Sequence, residues 1–363
     1  MFKKLDNYII KKIVTTFFFA IVSVLCISVV FDISEKLNDF LKLKADIPQE
    51  IFNYYTGFVV YIGNMFFPLF TLITIVMVTL KMNQKSEIVA ILSTGISFNR
   101  MLRPFFIGTG FIVLFSFFVN FFLLPQANQK RLDFEKVHTG YSSVLSGMHF
   151  EIEPGTIISF KRYNFKEMKM VSDLWIDRYE KDKNGRNVLK YTLKSDYAYG
   201  DSSTNHFSLK NTLERYIFEN GDSIIKSRSL DTIFNFGLKD FGQRNDVIST
   251  MYFGELLAFR KKETDKGSAI VPYIEIEIYS RVSNPLSLFI LALLGVCISI
   301  SPARSNVGST ILLGIGSVAL YFVFNRFTTV YATNAGLNPL LAVWIPNLIL
   351  LAFAVYLYFK TPK

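Results

Sequence analysis

Few residues of this 363-residue chain have types and spacings suited to chemistry. The histidines His138, His149 and His206 stand singly, at no metal-ligand spacing, and read as ordinary polar residues. Cys26 and Cys297 fall inside apolar runs, which suggests neither a disulfide nor a metal site. No Gly-x-x-x-x-Gly-Lys-Ser/Thr loop is present to cradle phosphates, and neither His-Glu-x-x-His nor Cys-x-x-Cys occurs. The sequence therefore predicts no catalytic residue, no metal and no cofactor, and a transferase or protease would have no catalytic group to use.

Three groupings could still act by binding. In Lys85–Ser97, Ser86 reads as a helix cap and Gly95 as a stop, while Ile88, Ile91 and Leu92 share one face at i, i+3 and i+4. Such a helix either docks a partner or lies on lipid, and periodicity does not choose between them. Glu87 is then either a docking carboxylate or a first-turn acid worth about 0.3–1 kcal/mol against the helix dipole. Glu277 and Arg281 have the i, i+4 spacing of a surface ion pair. Lys36, Lys42 and Lys44 are interspersed with five acids in the loop Asp32–Glu50.

The elements that must position these groups are set by composition. The chain is 51% hydrophobic with 37 Phe, and its mean hydropathy is +0.32, which favours a membrane protein. The net charge of +10 is scattered rather than striped, so it reads as topology signals and anionic-lipid contacts rather than a nucleic-acid surface. A bilayer core of about 30 Å needs roughly 20 apolar helical residues. Ile13–Phe31, Ile51–Leu80, Pro104–Leu124, Val282–Ala303, Ser305–Asn325 and Phe327–Phe359 meet that length without a formal charge. The first follows a basic lead but no cleavage site succeeds it, so a retained anchor is expected. Pro68 and Pro346 fall within runs and predict kinks. No charged residue lies deep in any predicted span, against the pattern of ion-coupled transporters and intramembrane proteases.

The short loops orient the chain. Lys3, Lys4, Lys11 and Lys12 precede the first span, Lys81, Lys85, Arg100 and Arg103 follow the second, and Lys360 and Lys363 follow the last. This basic excess predicts both termini in the cytoplasm and Gln126–Arg281 outside, which in a double-membraned bacterium is the periplasm. That insert alternates in period two. Met168, Met170, Leu174 and Ile176 alternate with Lys169, Asp173 and Asp177, and Tyr191, Leu193, Tyr197 and Tyr199 with Thr192, Lys194 and Asp196. Asn184-Gly185 and Asn220-Gly221-Asp222 are hairpin signals. About eight strands in a jelly-roll-like all-β domain are predicted, followed by a charged helix over Gly254–Lys266. The fold class is thus a membrane α-helical protein with six transmembrane helices and an inserted β-domain. The predicted division is 1–125, containing a short helix at 84–96, then 126–270, then 271–363.

The order of several short motifs resembles one family, the LptF/LptG permeases of the lipopolysaccharide export machine. Ser86-Glu87-Ile88 with Gly95 is similar to the family's coupling segment, Leu5-Asp6 with Tyr8-Ile9 to its start, and Pro125-Gln126 to its exit from span three. Glu277, Arg281 and Pro285-Leu286-Ser287 resemble the approach to span four, and Pro302, Arg304-Ser305, Gly314-Ile315, Tyr321-Phe322, Pro339 and Pro346 the C-terminal half. The insert matches in size and strand character, hardly in sequence.

The resemblance implies a permease subunit of an ATP-driven lipopolysaccharide exporter in the bacterial inner membrane. Two such permeases pair, as a homodimer or heterodimer, and bind a cytoplasmic ABC ATPase dimer. Lipopolysaccharide is lifted from the outer leaflet and passed to a periplasmic bridge protein. Spans one and five line the cavity, and the β-domain shelters acyl chains, worth about 0.8 kcal/mol per buried methylene. The resemblance also implies that Ser86, Glu87, Ile88 and Gly95 couple to the ATPase. It implies lipid-phosphate contacts near the outer end of span one. Here Asp32, Asn38 and Asp39 occupy the nearest stretch, with Lys36, Lys42 and Lys44 between them. A non-transporting anchor whose β-domain recruits periplasmic partners is the rival reading.

Overall fold

The computed structural model describes residues 4–41, 47–138, 144–153, 155–164, 170–182, 186–200, 205–218, 221–234, 245–265, 268, 270–300 and 307–361. The chain forms two compact units, one of residues 1–38, 48–130 and 272–363 and one of residues 39–47 and 131–271.

The first unit is helical because its uncharged runs leave nothing polar but the backbone, and a helix satisfies that internally. Its elements are α1 (Lys4–Leu41), α2 (Ile47–Gln84), α3 (Glu87–Ser93) and α4 (Phe98–Phe118), which continues through a π turn (Val119–Leu123) into α5 (Leu124–His138). After the insert come α8 (Val271–Ser299), α9 (Val307–Asn334) and α10 (Pro339–Lys360). Six helical stretches are long and apolar enough to cross a membrane: Lys4–Leu37, Pro48–Gln84, Phe98–Glu135, Val271–Ser299, Gly308–Asn334 and Pro339–Lys360. Two thirds of α8's apolar window is buried, so it is the central helix, whereas α1 and α9 leave most of theirs uncovered. Phe17, Leu72, Ile75, Phe105, Leu288 and Leu291 belong to one buried core. Gly295 lets α2 and α8 approach closely, since a Cβ there would lie 3.0 Å from Ile75 Cγ2.

One predicted boundary is wrong. The charge of Arg326 suggested a loop, but α9 runs through it to Asn334. The break falls later, where Gly336 takes φ +73° and the Asn338 side chain accepts from Leu340 N at 2.9 Å ahead of Pro339. These are stronger stops than a single cation, which a helix carries readily when its head group reaches polar surroundings. Arg304 and the predicted junction at Ala303–Ser305 lie outside the described residues.

The second unit holds strands β1 (Val144–Glu153), β2 (Thr156–Asn164), β3 (Met170–Lys181), β4 (Asn187–Gly200), β5 (His206–Phe218) and β6 (Gly221–Ile233). A single turn, α6 (Asn245–Ile248), and the charged helix α7 (Phe253–Asp265) follow. The strands form one antiparallel sheet in sequence order, a meander. About eight strands in a jelly roll were expected. Six are described, and none of the crossovers that define a jelly roll occurs among them, because each described strand pairs only with its sequence neighbours.

The predicted alternation also fails partway along. Leu174 and Ile176 are buried in β3, but so is Val171; Leu193 and Ser195 are buried in β4, then Ala198. Tyr197 and Tyr199, expected on the same face as Leu193, are exposed instead. The cause is a row of unladdered residues crossing every described strand. Pairing passes from Phe160↔Leu174 to Arg162↔Ser172, from Leu174↔Ser195 to Ser172↔Tyr197, and from Ser195↔Thr212 to Tyr197↔Lys210. Lys161, Asp173, Asp196, Asn211 and Arg228 are skipped, and Gly147 in β1 likewise. Asp173 and Asn211 take φ +50° and +54°, a conformation that Asp and Asn tolerate better than other side chains. Each strand thus carries one extra residue at the same level, so the pleat reverses phase while the register holds. The apolar face of Ile158, Phe160, Val171, Leu174, Leu193 and Phe207 stays continuous across this seam.

Gly155, between β1 and β2, takes φ +82°, and a Cβ there would lie 2.5 Å from Tyr179 O. Tyr179 N donates to Gly155 O at 2.6 Å. Gly155→Ala is expected to cost about 1–3 kcal/mol, read as roughly tenfold or faster hydrogen exchange at Tyr179 with α8 unchanged.

Candidate functional site

The short helix α3 is built into the helical unit rather than laid on its surface. Ile88 and Ile91 are buried and join the same core as Met82, Phe98 and Met101, with Leu92 packed against it. The apolar face is therefore used by the chain itself. The opposite side presents Val89 (60% exposed), Ala90 and Ser93. Gly95 takes φ +82° and donates its N–H to Leu92 O, which ends the helix as its residue type predicted. Ser86 does not act as predicted. It adopts left-handed φ +56° and makes no side-chain cap; only its carbonyl contributes, accepting from Ala90 N at 2.9 Å. The turn of Lys85 and Ser86 out of α2 requires that backbone, which turns the hydroxyl away from the first-turn amides.

Two polar ties hold α3 and the start of α4 to the start of the chain. Glu87 accepts from the Tyr8 hydroxyl at 3.4 Å on both oxygens and faces Lys12 Nζ at 3.8 Å. Lys12 in turn donates to the Tyr8 hydroxyl at 2.9 Å. On the far side of α3, Arg100 at the start of α4 donates two hydrogen bonds to Asp6, at 3.0 and 2.6 Å. Asp6 is buried, and this planar fork is the stronger tie. Residues 85–100 are therefore pinned to α1 at both ends, so a push on α3 reaches the first span directly. Asp6, Tyr8, Lys12 and Arg100 carry this geometry, and the motif reading did not pair them with Glu87. Asp6 was the available signal: a lone acid in a basic leader has a reason to be there.

Lys36 is placed differently from the expectation. It lies 3.0 Å from Asp32 on the next turn of α1, donates to the Tyr54 hydroxyl, and sits over the Tyr54 ring at 4.3 Å. Tyr54 and Tyr55 of α2 also donate to Asp32, at 3.2 and 3.0 Å. The lysine thus faces a counter-ion inside a tyrosine-lined knot, and its side chain is 17% exposed. Lys42 and Lys44 lie outside the described residues.

Glu277 and Arg281 do pair, at 2.9 Å, but not on the surface: Arg281 is 1% exposed. The correction follows from α8 being the central helix. Nor are the spans free of charge, because Arg326 within α9 lines a cavity of about 280 Å³ with Asn64, Ser116, Asn120, Asn284 and Asn325. Asn64 and Asn120 exchange amide hydrogen bonds at 3.2 and 2.9 Å, and Asn120 also donates to Ser116 O at 2.8 Å. The π turn begins beside Asn120, as such turns often do at polar sites. In hydrocarbon such groups must satisfy one another.

Glu277→Ala removes the carboxylate facing a buried guanidinium, and a loss of about 1–3 kcal/mol is expected. Thermal unfolding in detergent checks it, with Glu277→Gln recovering part of the loss. Asp6→Asn is expected to lower the melting temperature and expose Arg100 to chemical modification. An unchanged melting curve would remove the α1–α4 tie from the account.

A family model described as the lipopolysaccharide export system permease LptF/LptG matches residues 7–360, nearly the whole chain. Among curated proteins, none matches it.

Proposed function

The chain belongs to the LptF/LptG family of lipopolysaccharide export permeases, and on that premise we propose that it is one membrane subunit of an ATP-driven exporter. It pairs with a second LptF/LptG-type permease and is driven by a cytoplasmic ABC ATPase dimer, since no phosphate-binding loop occurs in its own sequence. Both termini lie in the cytoplasm, and the domain over 126–270 lies in the periplasm, where a bridge protein receives the lipid. The membrane halves 1–125 and 271–363 flank it. This orientation is supported by the basic residues at the N-terminus and after α2.

The observation that carries the ATP-coupled part is α3. Its apolar face is spent on the chain's own core, its other side is open, its first residue is tied to α1, and so is the start of α4 that follows it. That is the construction of a lever whose free face takes an external push. The lipid-facing part rests on α1 and α9, which expose Phe19, Phe31, Leu312 and Phe327 along uncovered apolar surface. Acyl chains meet such walls at no hydrophobic cost, because they replace other lipid. Of the three lysines proposed to meet lipid phosphates, Lys36 would have to trade Asp32 for the phosphate.

Depleting the protein is expected to retain lipopolysaccharide at the inner membrane, and delivery at the normal rate would refute the export reading. Glu87→Lys places a second cation beside Lys12 and removes the acceptor of Tyr8. We expect about a tenfold loss of export, equivalent to about 1.4 kcal/mol, with membrane insertion intact. Val89→Asp leaves the Glu87 tie in place and tests the open side alone; export unaffected by both variants would separate α3 from the ATPase.

A further inference from the structure

On the sheet surface opposite the apolar core, the seam described above gathers cations beside aromatic rings. Because the pleat reverses there, the seam row faces outward together with the row that follows it, Tyr197, Lys210 and Ser229. The seam row brings Asp196, Asn211 and Arg228 side by side across β4, β5 and β6. The next outward row before the seam, beyond the inward-facing Ser195, Thr212 and Ser227, brings Lys194, Leu213 and Lys226, which pair directly in the ladder. The seam row and this earlier row line an open pocket of about 390 Å³ floored by Thr212 and Ser227. Asn211 donates to Asp196 at 3.0 Å, so that carboxylate is turned along the sheet towards the amide. Lys226 and Arg228 are exposed and make no ion pair among the described residues. Three cations against one acid leave the pocket positive.

Aromatic rings stand exposed along the same face. Lys194 Nζ stands 4.8 Å from the centre of the Trp175 ring, which is 40% exposed, and Tyr197 and Tyr199 just past the seam are 44% and 42% exposed. Rings held this open on a sheet are not part of its core. Flat apolar faces next to clustered hydroxyls, amides and cations match the chemistry of a sugar chain that carries phosphate or carboxylate groups. The ring faces take the sugar's C–H surface, and the cations take its charges.

We infer that this outer face binds an acidic saccharide, the glycan end of the exported lipid. The inference rests on the export reading for the source of the saccharide, but the site itself rests on Lys194, Lys226, Arg228 and Trp175. It also places the saccharide on the face of the sheet opposite the buried apolar core.

The chain has two tryptophans, Trp175 and Trp344, so Trp344→Phe leaves Trp175 as the sole reporter at the site. The full-length Trp344→Phe protein in detergent is titrated with deacylated, phosphorylated core oligosaccharide. A saturable change in Trp175 emission is expected, weakened at least tenfold by Lys226→Glu with Arg228→Glu and weakened by raising salt, since exposed charges are screened. The double variant should keep the parent's melting temperature; Lys226→Gln with Arg228→Gln, which adds no repulsion, should weaken binding less. Equal binding of the dephosphorylated oligosaccharide, or none of either, overturns the inference. Equal binding of free polygalacturonate overturns its assignment to the exported lipid. If depletion retains lipopolysaccharide but Trp175 reports no binding, only this inference falls. If binding holds and depletion retains nothing, only the export reading falls.

Discussion

A hydrocarbon surrounding offers polar groups no water, and the helical unit is arranged around that constraint. Backbone amides are met within continuous helices, and the charged and amide side chains of the groupings below are met by one another. Asp32 collects Lys36, Tyr54 and Tyr55; Asn64 and Asn120 satisfy each other; Arg281 faces Glu277 inside the most buried helix. Each grouping joins turns or helices that apolar packing alone would leave free to slide. The same constraint explains why the few charges in this unit are structural first, and why a charge cannot be assigned to a ligand until its partner within the chain has been found.

In the proposed exporter, the connection between α3 and α1 is where this architecture turns into mechanism. Apolar packing through Ile88 and Ile91 resists lifting of α3, while Glu87 and Arg100 resist sliding of its two flanks. A rigid element moved at one surface displaces whatever it is fastened to. Here that is the helix with the least buried apolar surface, and so the one that costs least to move.

Much of this was legible in the sequence, and the failures share a physical cause. Long uncharged runs report helices reliably because the demand on the backbone is local. Gly95 reported the end of α3 for the same reason. Arg326 misled because a charge was weighed without the amides that surround it, and those come from α2, the π turn after α4, and α8. Lys36 and Arg281 misled in the same way: Tyr54 and the packing around α8 are distant in sequence. In the sheet, Leu174 and Ile176 were assigned correctly, but Tyr197 was not, since alternation carries no record of a phase reversal. Asp173 and Asn211, the residue types most tolerant of positive φ, were the only local sign of it.

The reversal binds the strands' lengths to one another. An insertion or deletion of one residue within β4 alone would leave its side chains on one half of the sheet turned to the wrong surface, beside neighbours that still reverse at the old level. Length changes in this sheet are therefore tolerated only in the connecting turns, or when adjacent strands change together. Relatives of this chain should differ freely at their hairpin tips while keeping the distance from tip to crease constant in every strand.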